Sequence, residues 1–343
     1  MRSLVSALVA GSLAATSAEA ARPIVIGYVP AFKGFDDVVE RADLSHYTHV
    51  DIAFMNPGPS GDIMVDGRLA CAPGGPGQTV TDEGIRNLVK KARGSKAKVL
   101  VSVGGGTIPA CAGDWAVLAR PETRAKIVAG LIDLVDRYSL DGVDVDLEGE
   151  LMTRMDREGN YTPFVSDLSA ALRQRSKLLT CATGSYVGGM VPDASLPFFD
   201  LIGIMSYDAI GPSWGTPGDE HSSFEQAEKD LALWRGKGVP AKKLALGLPF
   251  YGHGFGDYRP SWALRDIAAD QGEDALSTDV SGQRCAGCSY ITYNGLPTLE
   301  RKARLAAAEG AGIMVWEIDE DLADHRAIKA VRAALQEGQK HGR

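Results

Sequence analysis

The chain has 343 residues, 45% of them hydrophobic and 23% charged, a composition that supplies a large core and excludes intrinsic disorder. Its 44 acids outnumber its 36 bases, for a net charge of −8 and an isoelectric point near 5.3. Such a balance, with Lys and Arg scattered rather than clustered, disfavours nucleic acid and other polyanions as partners.

The first twenty residues stand apart. Arg2 gives a positive start, residues 4–15 are nearly all apolar or small, and Ala18-Glu19-Ala20 has the small-x-small form of a cleavage site. This predicts a secretory signal peptide over 1–20 and a mature domain over 21–343, exported to the periplasm or the medium. The apolar stretch is too short for a lasting membrane anchor. Export permits disulfides. Cys285 and Cys288 are spaced for a local clip, and Cys71 and Cys111, both in Gly/Pro-rich loops, form the second candidate pair. Cys181, in an apolar run, is expected as a buried free thiol.

Along the mature chain, strand patterns fall at 24–29, 49–55, 98–103, 142–148, 178–184, 201–207, 244–249 and 312–316. Helical patterns fall between them at 81–93, 121–138, 161–176, 224–237, 297–309 and 323–336. Thr81 before two acids and Pro121 before Glu122 are helix starts. Eight such units predict the α/β class and a single (β/α)8 TIM barrel, whose chemistry sits at the C-terminal ends of the strands. A doubly wound sheet is the alternative, although nothing after the first strand has the form of a dinucleotide-binding loop.

The fourth strand pattern is the most informative segment. In Asp141-Gly142-Val143-Asp144-Val145-Asp146-Leu147-Glu148, strand geometry puts Asp144, Asp146 and Glu148 on one face and Val143, Val145 and Leu147 on the other. Crowded carboxyls repel and resist ionisation when buried, so one of them, Glu148, is expected to titrate high and serve as a general acid. A solvated acidic edge strand and a divalent-metal site are the competing readings. The six His residues show no cluster in sequence, so no metal is expected; His46 and His49 read as surface or satisfied core residues. Other polar and aromatic residues close neighbouring strands: Ser102-Val103-Gly104-Gly105-Gly106, Met205-Ser206-Tyr207-Asp208, Tyr251 and Trp316.

At these positions the sequence resembles glycoside hydrolase family 18, the chitinases and endo-β-N-acetylglucosaminidases. The DGxDxDxE signature is met by Asp141, Gly142, Asp144, Asp146 and Glu148. The SxGG turn is met by Ser102, Gly104 and Gly105, the MxYD strand end by Met205, Tyr207 and Asp208, and the last-strand Trp by Trp316. The resemblance implies a retaining, substrate-assisted mechanism without a protein nucleophile. Glu148 is then the acid, Asp146 orients the substrate acetamido group, Asp144 tunes the pair, and Tyr207 holds the acetamido oxygen. Asp208 positions the sugar and Trp316 forms its floor. Tyr28 and Phe54 line the acetamido pocket, or are ordinary core aromatics. The implied partner is chitin or N-acetylglucosamine oligosaccharides, with the N-glycan chitobiose core and non-catalytic sugar binding as alternatives. No cofactor is implied, and a monomer is expected.

Three departures from the family pattern carry expectations of their own. Gly106-Thr107 follows SxGG where many members carry Trp, and Trp115 is the candidate replacement. Tyr251-Gly252-His253 stands for the usual YGR stretch. The segment 255–293 is too short for the α+β insertion that walls the groove in processive chitinases, which predicts a barrel without that insertion, a shallow cleft and endo-cleavage.

Overall fold

The computed structural model describes residues 22–71 and 80–341; the signal peptide expected over 1–20 lies outside them. Eight parallel strands close into a barrel: β1 (Val25–Pro30), β2 (His49–Ala53), β3 (Lys98–Gly104), β4 (Gly142–Asp146), β5 (Leu178–Thr183), β6 (Leu201–Ile204), β7 (Leu244–Pro249) and β8 (Gly312–Trp316). β8 pairs with β1 through Ile313 and Val25, which closes the ring. The fold is therefore the single (β/α)8 barrel expected from the alternation of patterns.

Two cores follow from strand periodicity. Side chains facing outward, such as Val143, Val145 and Leu147 of β4 and its exit, join Leu131, Val135, Phe164 and Leu168 of the surrounding helices in one large buried cluster. Those facing inward form a second cluster of Ile26, Tyr28, Ala53, Leu201, Tyr207, Ala245, Tyr251 and Met314, against which Phe54, Met205 and Trp316 pack. Every aromatic singled out by the family motifs therefore belongs to the barrel interior.

The helices Asp82–Gly94, Pro121–Tyr138, Tyr161–Arg173, Phe224–Gly236, Leu296–Ala308 and Arg326–His341 match the six expected ones. Thr81 caps the first of these by accepting from the Gly84 amide at 2.8 Å. The shorter helices Phe35–Arg41, Gly149–Arg157 and Leu264–Gln271 lay below what the periodicity of the sequence resolved. β4 and β6 end two and three residues earlier than expected, at Asp146 and Ile204, so Glu148, Tyr207 and Asp208 stand on the exits rather than in the ladders.

The segment following β7 is not a plain loop. Tyr251–Phe255, Ser261–Ala263, Val280–Gly282 and Tyr290–Thr292 form a four-stranded antiparallel sheet with the helix Leu264–Gln271. It is a compact α+β insertion where none was expected, which corrects that expectation: four short strands and one helix fit into the segment, and the first strand carries Tyr251 and His253 into the site. Both expected disulfides are present, Cys71–Cys111 and Cys285–Cys288, and Cys181 is free and buried. Among the described residues, no helix is long and apolar enough to cross a membrane.

Candidate active site

Register places the acids. Ser102 pairs with Asp144 and Asp144 with Thr180, so three inward polar side chains lie abreast on β3, β4 and β5. Asp144 Oδ2 accepts from Ser102 Oγ at 2.7 Å and from Tyr28 Oη at 2.9 Å, and Oδ1 accepts from Thr180 Oγ1 at 2.6 Å. Burial raises its pKa while these three donors oppose the rise. One step further up, Asp146 has a buried Oδ1 without a partner. Burial, and then the charges of Glu148, Asp144 and Asp51, push it well above the usual carboxylate value. Asp51 on β2 is a third buried acid in the barrel interior, raised by burial and by Asp144. The interior of the barrel is thus a column of coupled acids whose burial and mutual repulsion disfavour full ionisation.

Glu148 ends the column at the surface of a cavity of about 710 Å³, lined also by Gly106, Tyr186, Met205, Tyr207, Asp208 and Trp214. Burial first, and the Asp208 charge second, raise it to about 7. The strand face expected to carry Asp144, Asp146 and Glu148 together is therefore real, and its outermost member is the one that meets the cavity. Among the described residues, no protein hydrogen bond engages the Tyr207 hydroxyl, and the ring packs edge-on against Tyr251 at 6.1 Å.

The SxGG turn shapes this mouth through backbone proximity. Gly104 and Gly105 have φ of 104° and 96°, a region that L side chains rarely adopt. A Cβ on Gly104 would lie 2.3 Å from the Asp146 carbonyl oxygen, and one on Gly105 would lie 2.6 Å from the Phe54 ring. Phe54 in turn stacks on Trp316 at 5.5 Å, and Tyr28 lies tilted against Trp316 at 5.3 Å. Gly105→Ala is expected to destabilise the fold by about 1–3 kcal/mol and to push Phe54 against Trp316. An unchanged urea midpoint together with an unchanged KM would contradict that expectation.

Asp208, at φ 60°, is the hub of the other wall. Its Oδ1 accepts from Tyr251 Oη at 2.5 Å and meets His253 Nε2 at 2.8 Å, with His221 Nδ1 at 3.6 Å. Burial works against its ionisation, but the histidine and tyrosine donors outweigh it and hold the carboxyl well below the usual value. The expectation that the histidines do not cluster is corrected here: His221, on the loop after β6, and His253, on the strand Tyr251–Phe255 that follows β7, converge on Asp208. They are 32 residues apart in sequence, and the parallel pairing of β6 with β7 brings the two exits together. His49, by contrast, is buried and shares a 2.9 Å contact with Thr48 Oγ1, and His46 pairs with Asp43.

Trp115 is no stacking platform. It is 1% exposed, donates through Nε1 to Asn56 Oδ1 at 2.8 Å, and packs on Phe164. The exposed aromatics on the cavity are instead Tyr186, 62% exposed, and Trp214, 47% exposed. Trp214 is anchored by its Nε1, which donates to the Asp208 carbonyl at 2.8 Å. Both sit on loops without periodicity, so nothing in the sequence singled them out. Asp51 and Thr180 did leave a signal: each is a polar residue flanked by apolar ones within a strand pattern.

The acid column ends at the C-terminal mouth of the (β/α)8 barrel, the face where this architecture carries its active sites. The chain belongs to the Glycosyl hydrolases family 18, whose family model matches residues 24–321. Among solved structures, the chitinase ChiB of Flavobacterium johnsoniae is 30% identical with a TM-score of 0.75, covering 92% of this chain and 94% of that one. A chitinase from Bacteroides thetaiotaomicron shares the fold at 22% identity and a TM-score of 0.72, covering 92% and 97%. Among curated relatives, an endochitinase of Manduca sexta is 23% identical over 353 residues, 82% of this chain and 60% of the relative. A chitinase-like effector of Moniliophthora roreri is 27% identical over 268 residues, 70% and 61%. The chain thus spans about 60% of the length of these two curated relatives.

Proposed function

We propose that this protein is an exported chitinase that hydrolyses β-1,4 links between N-acetylglucosamine units, with retention and with the substrate's own acetamido group as nucleophile. The observation that carries the reading is the intact column Asp144, Asp146, Glu148, with Glu148 raised to about 7 on the cavity surface and Tyr207 beside it. A carboxyl titrating there is protonated often enough at neutral pH to donate to a glycosidic oxygen. As the bond breaks, the acetamido carbonyl oxygen closes on the anomeric carbon to give an oxazolinium ion. The proton of Glu148 goes to the leaving sugar, and the resulting carboxylate later takes a proton from the incoming water.

The unpartnered Asp146 Oδ1 supplies the acceptor for the acetamido N–H, and the open Tyr207 hydroxyl supplies the donor for its carbonyl oxygen. Asp144, saturated by three hydroxyls, fixes the orientation of the row and shares its protons. Trp316, stacked on Phe54, offers an apolar floor to a sugar ring, and Tyr186 and Trp214 offer exposed platforms along the cavity. A non-catalytic sugar-binding role has no need of a raised acid at 148. The deciding experiment is a product profile on chitooligosaccharides beside a high-mannose glycopeptide. Release of chitobiose or larger products from the former supports the proposal, and cleavage of the glycopeptide alone overturns it.

The electrostatics predict a pH profile. Glu148 must be protonated to act, so kcat falls as pH rises through its pKa, placing the alkaline limb near about 7. A neighbouring negative charge disfavours ionisation and raises that pKa. Asp208→Asn removes such a charge, so the limb is expected to move to lower pH. The kcat profile of the variant in excess EDTA checks this, and a limb that stays in place or moves upward would remove Asp208 from the control of Glu148.

A further inference from the structure

The geometry points to a binding site for a divalent transition-metal ion of the zinc class at Asp208, His221 and His253, through which the ion inhibits the enzyme. One ligand atom from each of the three residues lies within 4.8 Å of the others. Around an ion bound tetrahedrally at about 2.0–2.2 Å, neighbouring donor atoms stand about 3.3–3.5 Å apart. His221 Nδ1 and Asp208 Oδ1, at 3.6 Å, are already near that spacing. His253 Nε2 and Asp208 Oδ1, at 2.8 Å, need to open by roughly half an ångström. The carboxyl has room to do so, since its side chain is 42% exposed. Its Oδ2 makes no hydrogen bond among the described residues.

The independent observation is His221. Its ring is fully buried, and among the described residues both of its nitrogens lack a hydrogen-bond partner, as does Nδ1 of His253. Buried polar atoms are satisfied in nine cases or more of ten. The 3.6 Å approach to Asp208 is too long to count as a hydrogen bond. An ion held by Asp208 gives His221 the partner the protein does not provide. Two imidazoles and one carboxylate suit zinc, copper or nickel and are a poor set for Mg²⁺ or Ca²⁺, which prefer oxygen cages.

Access and consequence follow from position. Asp208 lines the cavity that also holds Glu148 and Tyr207, so an ion enters from the cleft and keeps its open coordination positions toward it. There it cancels the Asp208 charge and occupies space that a sugar would take. The ion is thus an inhibitor, and hydrolysis does not require it. Trp214 lies edge-on to His253 at 5.5 Å, close enough for its fluorescence to report a paramagnetic ion.

The test uses untagged, EDTA-treated protein and Zn²⁺ alone. Equilibrium dialysis is expected to give one Zn²⁺ per chain, with affinity lowered at least tenfold in His253→Ala and in His221→Gln and unchanged in His46→Ala and Glu148→Gln. Circular dichroism confirms that the variants are folded; should His221→Gln fail to fold, the anomalous peak of a Zn²⁺-soaked crystal, expected between the three side chains, replaces it. Quenching of Trp214 by Cu²⁺ is expected to saturate at the same stoichiometry. Hydrolysis of chitooligosaccharides is expected to fall with Zn²⁺ occupancy and to return with EDTA. Absence of binding at millimolar Zn²⁺, equal binding of Mg²⁺, or binding abolished by Glu148→Gln but kept in His253→Ala would overturn the assignment. The dialysis readout involves no sugar, so it stands or falls separately from the proposed chitinase activity.

Discussion

Glu148→Gln is expected to lower kcat on chitooligosaccharides by about 10³-fold while leaving sugar affinity within a few-fold of the wild type. The amide keeps the volume of the side chain at the cavity surface but has no proton to give at any pH. The environment supports a specific role for the lost proton. Burial and the Asp208 charge raise Glu148 to about 7, and Gly106 leaves the carboxyl room, since a Cβ there would lie 3.2 Å from Oε1. Stability is expected to hold or rise, because the variant removes a charge that burial disfavours and that also raises Asp146. Turnover within tenfold of the wild type, measured with oligosaccharide affinity on the same preparation, would eliminate Glu148 as the acid. A parallel loss of affinity and turnover would instead point to a damaged cleft.

The sequence made part of this site legible and hid the rest for identifiable reasons. Period-2 alternation is a local signal, so the acid row from Asp144 to Glu148 and the greasy row behind it were readable from β4 alone. The eight-strand count was readable because each strand is a compact apolar run bounded by turn residues. Tyr28, Asp51, Ser102 and Thr180 meet Asp144 or one another only through barrel register, which no local pattern encodes. The same holds for Asp208, His221 and His253, which come from the exits of β6 and β7. Trp115 misled for the opposite reason: a Trp near a glycine turn has the look of a platform, yet Asn56 and Phe164 draw it into the core. Forty residues after β7 gave no strong periodicity because their strands are only three to five residues long.

The requirement for an N-acetyl group on the substrate is the sharpest consequence of the proposed mechanism. The inward face of the barrel offers Asp144, Asp146 and Glu148, but Asp144 is committed to three hydroxyl donors and Asp146 is held high by burial and its acidic neighbours. In the proposed mechanism neither serves as the second carboxylate of a two-carboxylate enzyme. On that proposal the nucleophile comes from the sugar. Hydrolysis of N-acetylglucosamine oligomers is expected to release the β-anomer first, with no detectable cleavage of cellooligosaccharides or of fully deacetylated chitosan. Tyr207→Phe is expected to lower kcat by about 10²–10³-fold, the loss of one donor to a developing charge, with little change in KM. A thiazoline that mimics the cyclised intermediate should bind more tightly than the substrate to the wild type, and that advantage should shrink in Tyr207→Phe. Proton NMR of the first products decides the matter: α-anomer released first, or deacetylated chitosan cleaved at a comparable rate, would rule out participation of the acetamido group even in an enzyme that cuts chitin.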